Sequence, residues 1–477
     1  MNKIISNFRL FVLGALVLTF ASCNDFLNDI PKGQKTPTTW ADYNAFVKNN
    51  NFPYFEMDQL FCLTNDQFKS QSSLNSNELF KAHYLWDEEA DRTEINSTDK
   101  GAYYYAYEAM FYWNLIIQSV PSATECTEAE KNMLIAQAKV LRAMTYFYAA
   151  NYYAAPYSEQ NRGLKSVPLV TSSDVTAPSP QVTIGEIYDF MVKDLTEAID
   201  FLPKQGESIL HPTKAAGLGM LARVYLHMGK YDEALKYASL ALEENDQLYD
   251  WIQFYNDDKE RFTEPEVYNK SCKSDPEKNN VENYVFHFSS NGLWNGVTGL
   301  AYAISAERAA QFEEGDTRLL THWKERFTTK NGLYYTGIHG LEPNKGGIRT
   351  PEMYYIKAEC LARKGGKANI DEAMSLVNKV RKTRILPEFY QDWSAKTTEE
   401  AVKKIIADKN NEYIQNLLVY CDYRRLNLEP AYAKTLTKEV EGKTYQLKPT
   451  SHLWIMPFPI EVINNPGNGT IEQNVNK

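Results

Sequence analysis

The stretch TKAAGLGMLARVYLHMGKYDEALKYASLALEEND, residues 213–246, sets the fold class. Leu221, Ala222, Tyr225, Ala234 and Ala241 stand at the spacing of a tetratricopeptide unit, whose period is about 34 residues, and Gly229-Lys230-Tyr231 falls at the turn between its two helices. Small alanines let paired helices approach, and the larger residues fill the groove between them. Outward from this unit, a looser one spans 349–384, where Tyr354, Ala358 and Leu361 precede a Gly365-Gly366 break and Ala373. On the other side, 128–202 reads as a third pair with an expanded connecting loop. Leu134, Ala138, Leu141, Thr145 and Tyr148 line one of its helices, and Ile184, Ile187, Tyr188, Met191, Leu195, Ile199 and Leu202 mark the other. A further helix over 102–120 ends at Pro121, and another runs through Ile405, Tyr413, Leu417 and Tyr420. The expected fold is mostly α: tetratricopeptide-like helix pairs forming one right-handed superhelical scaffold, with irregular aromatic-rich insertions on the opposite face.

Between the repeats, over 249–347, the helical period fails. Trp251, Tyr255, Tyr268, Tyr284, Trp294, Trp323, Tyr334 and Tyr335 stand there among many Asn, Asp, Gly and Ser. An aromatic-rich insertion of that length in a helical scaffold is where a binding surface is expected. The whole chain shares the bias, with 13% aromatic residues and 32 tyrosines. Near the end, Leu453-Trp454-Ile455-Met456-Pro457-Phe458-Pro459 predicts an extended segment packed on the helices.

At the N-terminus, Lys3 and Arg9 precede an apolar run over 10–20 that ends in Ala21-Ser22-Cys23. That run is far short of the roughly 20 residues a membrane-spanning helix needs, and small residues follow it, as in a cleaved secretory signal. A cysteine directly after them resembles a bacterial lipobox, so residues 1–22 are expected to leave and Cys23 to carry the acyl chains. The polar stretch 24–39, with Pro31, Gly33 and Pro37, reads as the rest of a tether over 23–39 before a single domain over 40–477. Loss of Lys3 and Arg9 takes the formal net charge from −10 to −12. With no basic stripe to offset it, nucleic acid is a poor partner. Cys62, Cys126, Cys272, Cys360 and Cys421 show no legible disulfide or zinc pattern.

Several segments, in order over nearly the whole mature chain, resemble the SusD/RagB family. They begin with Cys23-Asn24-Asp25-Phe26-Leu27-Asn28 and Pro31-Lys32-Gly33. Ala138-Lys139-Val140-Leu141-Arg142-Ala143, Val167-Pro168-Leu169-Val170, Asp194-Leu195-Thr196-Glu197-Ala198-Ile199 and Ala222-Arg223-Val224-Tyr225-Leu226 follow. The series closes with Leu453-Trp454-Ile455-Met456-Pro457 and Asn465-Pro466-Gly467. Glu412 and Asp422-Tyr423-Arg424-Arg425 also match, whereas Asn410-Asn411 stand where the family usually shows basic residues. The resemblance implies an outer-membrane lipoprotein, surface-facing, that captures glycan. It further implies docking through the repeat side on a SusC-like TonB-dependent barrel, with outer-membrane lipid as the partner of Cys23.

Sugar capture needs flat rings to stack on pyranose faces and amides or carboxylates to meet hydroxyls. The candidates are Trp294, Trp251 and Tyr284 in the insertion, Trp86 nearer the N-terminus, and Asn65, Asp66 and Asn291 as polar partners. The tyrosines of 102–113 recur at helical spacing and read as core. Asp87-Glu88-Glu89-Ala90-Asp91 lacks the spaced geometry of a calcium loop and reads as a solvated acidic face. Gly217-Leu218-Gly219-Met220-Leu221-Ala222 formally matches a dinucleotide fingerprint but lies within a helix with no strand before it. No metal, cofactor or catalytic constellation is legible, so a non-enzymatic binder is expected. Two other classes compete with it: a glycoside hydrolase using two of the many carboxylates, and an envelope scaffold whose repeats hold protein or peptide partners.

Overall fold

Thr127 and Glu130 close a capping box at the head of a 26-residue helix: Glu130 N donates to Thr127 Oγ1 at 3.2 Å and Thr127 N to Glu130 Oε2 at 2.7 Å. The computed structural model describes residues 36–48, 57–70, 74–95, 101–263, 277–287, 299–337, 343–464 and 470–475. The scaffold helices are α1 (Gly101–Ser119), α2 (Glu128–Tyr153), α3 (Ile184–Ala198), α4 (Lys214–His227), α5 (Tyr231–Glu244), α6 (Thr350–Lys364), α7 (Lys367–Arg381), α8 (Thr398–Glu412) and α9 (Leu417–Leu426). From α1 to α7 each packs on the next, and α8 lies against both α6 and α7. This is the tetratricopeptide-like, mostly helical stacking expected from residues 213–246.

The contacts explain the composition. Ala222, Ala234, Ala238 and Ala241 are fully sealed between α4, α5 and their neighbours. A Cβ on Gly217 would stand 2.4 Å from Leu202 Cδ1, so a larger residue there would force that buried side chain to move. The apparent nucleotide fingerprint is therefore helix packing. Gly229, with φ of +71°, makes the α4–α5 turn where a side chain would be strained.

The arginines of the family-like segments tie helices together. Arg142 of α2 grips Asp194 of α3 through two bonds of 2.7 Å and donates to Asn114 Oδ1 of α1 at 2.6 Å. Arg223 of α4 grips Glu352 of α6 through two bonds of 2.7 Å. Arg424 donates to Trp454 O at 3.0 Å and to Asn151 Oδ1 at 3.0 Å, holding the tail on α2. There Phe458 stacks on Tyr153 at 4.9 Å, although Leu453 and Trp454, expected in an extended segment, belong to a short 3-10 turn over His452–Trp454. Such forked, fully partnered pairs fix geometry as well as contribute energy.

One of these ties carries a pH prediction. Glu359 of α6 accepts from Arg425 Nη1 and Nη2, each at 2.7 Å, and from Arg363 Nε at 2.9 Å. Burial pushes its carboxyl up, but Arg425 and Arg363 outweigh burial and hold it at about 2, against 4.5 ordinarily. A depressed folded pKa contributes stability that is complete above the unfolded value and is lost as pH falls through the folded one. Glu359 should thus contribute on the order of 3 kcal/mol at neutral pH, lost between about pH 4.5 and 2. Urea midpoints measured across that range should fall less steeply for Glu359→Gln than for the native protein.

Two expectations change. The helix running through Ile405, Tyr413 and Tyr420 is broken between α8 and α9: Gln415 adopts φ of +55°, and its amide donates to Asp66 O at 2.9 Å, while Asn416 caps α9 through Leu418 N at 3.0 Å. The stretch 249–347 is also more ordered than its lost periodicity suggests. It holds the short helices Trp251–Asp257, Lys259–Thr263, Ala306–Ala309 and Thr317–His322 and an antiparallel sheet of β1 (Gly299–Ser305), β2 (Trp323–Thr328) and β3 (Gly332–Gly337), with β3 central. A hairpin of β4 (Leu436–Val440) and β5 (Lys443–Leu447) forms a separate two-stranded sheet among the described residues. Cys62, Cys126, Cys360 and Cys421 are free thiols, and Asp87, Glu88 and Glu89 face solvent.

Candidate functional site

Burying a large ring gains roughly 25 cal/mol per Å² of apolar surface withdrawn from water, and several rings chosen from the sequence are buried in this way. Trp251 is 2% exposed and packs edge-on to Phe254 at 5.5 Å. Tyr284, also 2% exposed, donates its hydroxyl to the carbonyl of Asn245. Trp86 is 4% exposed, occupies the left-handed C-cap of the Glu78–Leu85 helix, and is covered by the Lys438 ammonium 4.0 Å from its ring centroid. Asp66 accepts from Arg308 Nε at 2.7 Å and is sealed with it. Trp294 and Asn291 lie outside the described residues, as does Cys23. Asn65 alone among the described candidates lines a concavity built around the loop over 64–70.

That concavity is a groove of about 310 Å³ walled mainly by three chain segments, with Tyr84, Ser305 and Glu307 completing its lining. The loop over 64–70 supplies Asn65, Phe68, Lys69 and Ser70. Its shape is enforced from below. Asn65 sits at φ of +62°, Phe68 N donates to Ala303 O of β1 at 2.6 Å, and the Phe68 ring stacks on Tyr334 of β3 at 5.0 Å and 14°. Arg308, besides gripping Asp66, donates to Asn411 Oδ1 and Asn410 O, each at 2.9 Å, and so fastens the loop to the end of α8. The two asparagines that depart from the family pattern are thus the acceptors for this arginine.

The second wall is the tip of the β2–β3 hairpin, with Lys330, Asn331 and Leu333. Phe327 and Leu333 are directly paired across the strands, so they share one face, and they stand 72% and 43% exposed. Glu325 and Tyr335 pair on that same face and join through a 3.3 Å hydrogen bond. The third wall is the β4–β5 hairpin, through Thr437, Lys438, Glu439, Val440 and Glu441. Amides, hydroxyls and charges of both signs thus surround a partly apolar floor. That is the chemistry of a polyhydroxylated ligand with an apolar ring face.

A second concavity, lined by Trp251, Glu277, Lys345, Arg349 and Tyr413 among others, offers only about 50 Å³. That is space for a few waters, whereas ligand pockets usually begin near 300 Å³. Burial pushes the Lys345 ammonium there down to about 7, partly opposed by Asp58, Glu277 and Asp66. Among the described residues no His, Cys, Asp or Glu cluster of metal-binding size occurs, and no helix is long and apolar enough to cross a membrane.

A family model described as the SusD family matches residues 199–476. The chain belongs to the SusD family. A second model, described as starch-binding associating with outer membrane, matches residues 25–226, so the two together span residues 25–476. Over 229 residues the chain is 25% identical to a SusD-like protein of Bacteroides ovatus, a match covering 47% of this chain and 40% of that curated relative's length. Solved structures extend the likeness in fold. A SusD superfamily protein of Bacteroides thetaiotaomicron superposes with a TM-score of 0.69 at 18% identity, covering 92% of this chain and all of the other. Surface glycan-binding protein A of the same organism, in complex with laminarihexaose, gives 0.62 at 18% identity with the same coverage. SusD membership accounts for the order of the segments first noticed in sequence.

Proposed function

We propose that this protein captures oligosaccharide at the cell surface through the groove between the 64–70 loop and the two hairpins. On this reading Cys23 is acylated after loss of residues 1–22, residues 23–39 tether the domain over 40–477 to the outer membrane, and the cargo passes to a SusC-like TonB-dependent barrel. One observation carries the ligand assignment. The groove is lined by Asn65, Asn331, Ser70, Ser305 and Thr437 beside Phe68 and Leu333. Family membership supports it, as does the bound laminarihexaose of a relative with the same fold. Such sites bind by ring contacts and hydroxyl hydrogen bonds that are individually weak, which suits a protein that must release its cargo.

A glycan array probed with the intact mature protein should return at least one oligosaccharide. Leu333→Asp, at an exposed position, and Asn65→Gly, which keeps the left-handed backbone and removes only the amide, should each weaken the strongest binder about tenfold, a loss of ~1.4 kcal/mol. Trp294→Ala is the comparator: loss of binding there with both groove variants unaffected places the ligand elsewhere. Incubation with the same oligosaccharides should release no new reducing ends, and their accumulation would make the protein a hydrolase. Copurification under mild detergent should recover a large barrel protein, and recovery of the lipoprotein alone would count against the hand-over.

A further inference from the structure

Lys438 is an unusual residue to find in the wall of a polar groove. It leaves β4 with its ammonium 4.0 Å from the ring centroids of both Tyr84 and Trp86. Nζ is sealed from solvent and has no hydrogen-bond partner among the described residues. Stripping the water from an ammonium without supplying an acceptor is costly, and here two aromatic faces replace that water. Burial pushes Lys438 down to about 7, with a small opposing contribution from Cys62, and the ring faces on both sides act against burial by favouring the charged form.

The hairpin that carries it needs such a contact. A two-stranded ribbon is marginal by itself, and among the described residues β4 and β5 pair with no other strand. Leu436 and Leu447 bury its base, and Tyr445 and Val440 rest against neighbouring clusters. The remaining residues from Thr437 to Gln446 face solvent, and the tip is a tight turn in which Glu441 and Gly442 both take positive φ, 51° and 74°. Lys438 is thus the inward polar anchor of the outer half, and that half supplies Thr437, Glu439 and Glu441 to the groove.

We propose that Lys438 is a positioning residue for the ligand site: caged between Tyr84 and Trp86, it clamps the β4–β5 hairpin shut as the third wall, and oligosaccharide is gripped only while the clamp holds. The inference rests on the groove being the ligand site. It also gives the buried Trp86 ring a role, since the ring acts on the ligand through Lys438 instead of stacking on a sugar.

The test compares Lys438→Met, which keeps the apolar stem and removes the charge, with Lys438→Arg, which keeps a cation able to lie between rings. Amide hydrogen exchange of residues 437–446 is measured in the free proteins, and the dissociation constant is measured for the strongest oligosaccharide of the array. Met should speed hairpin exchange at least tenfold while α2 amides stay unchanged, and weaken binding at least fivefold, and Arg should restore most of both. Unchanged exchange in the Met variant overturns the clamp. Faster exchange with unchanged binding, in a protein where Leu333→Asp does weaken binding, also overturns it and leaves the groove assignment standing. Unchanged binding in both variants, or an array on which the native protein binds nothing, removes the groove assignment and the clamp together.

Discussion

Glu412→Gln is expected to cost about 3–5 kcal/mol, because it removes one carboxylate from among three buried guanidiniums. Glu412 Oε1 accepts from Arg349 Nη1 at 2.9 Å and Arg384 Nη2 at 3.0 Å, and Oε2 accepts from Arg384 Nε at 3.1 Å and Arg318 Nη1 at 3.3 Å. Burial pushes this carboxyl up, but Arg384 and Arg349 outweigh it and hold Glu412 well below the usual carboxylate range. Glutamine keeps the shape and forfeits the charge, which leaves cations under-compensated in the interior. Glu282 shares Arg384 and Arg349, accepting from them at 2.7 and 3.1 Å, so the two carboxylates balance the same guanidiniums. Urea titration of Glu412→Gln at pH 7 checks the loss, and an unchanged midpoint would contradict it. The consequence reaches past stability. This cluster joins the end of α8 to Arg318 of the insertion, and Arg308 fastens the groove loop to Asn410 and Asn411, just before Glu412. Loosening it should weaken ligand binding as well.

How far the sequence could be read depends on whether a feature is local. The α4–α5 unit was legible because Ala222, Ala234 and Ala241 recur at helical spacing and Gly229 marks the turn, all within one short stretch. The groove was not, because the 64–70 loop, the β2–β3 tip and the β4–β5 hairpin are distant in sequence and meet only in the fold. Selecting aromatics by type led to Trp251 and Tyr284, which the structure places in the core, since ring area is more often withdrawn from water than displayed. The tyrosine surplus has the same cause: Tyr146, Tyr148 and Tyr153 are sealed inside α2 contacts. Asn65, chosen as a polar partner for sugar hydroxyls, lines the groove because its loop is exposed there. Two local signals could have led to the walls. Glu441-Gly442 between Val440 and Lys443 has the form of a two-residue hairpin turn, and Thr329-Lys330-Asn331, closed by the Thr328–Gly332 pair, has that of a three-residue one.

Gly347→Ala should cost about 3 kcal/mol, and for a reason that differs from the usual one for glycine. Gly347 is not among the positive-φ glycines, so its backbone would suit alanine. The obstacle is space. An added Cβ would lie 2.2 Å from Val285 O and 2.2 Å from Asn344 Oδ1. Val285 O is backbone and the Asn344 side chain is held by four bonds: its Oδ1 accepts from His287 N at 3.0 Å and Gly347 N at 2.9 Å, and its Nδ2 donates to Val285 O and Asn283 Oδ1, each at 2.9 Å. Neither can yield alone, so the short strand pairing of Asn283–Val285 with Ile348–Arg349 must shift. That displaces Arg349 from Glu412 and Gly347 O from Arg223 Nη2, which donates to it at 2.7 Å. One methyl group should therefore disturb both the tie between α4 and α6 and the carboxylate among its guanidiniums. If close approach is the cause, Gly347→Ala combined with Asn344→Ala should recover part of the loss by opening one side, and the thermal midpoint of the double variant should lie above that of Gly347→Ala. A double variant less stable than the single one would mean that Asn344 matters more as the hub of those bonds than as the obstacle.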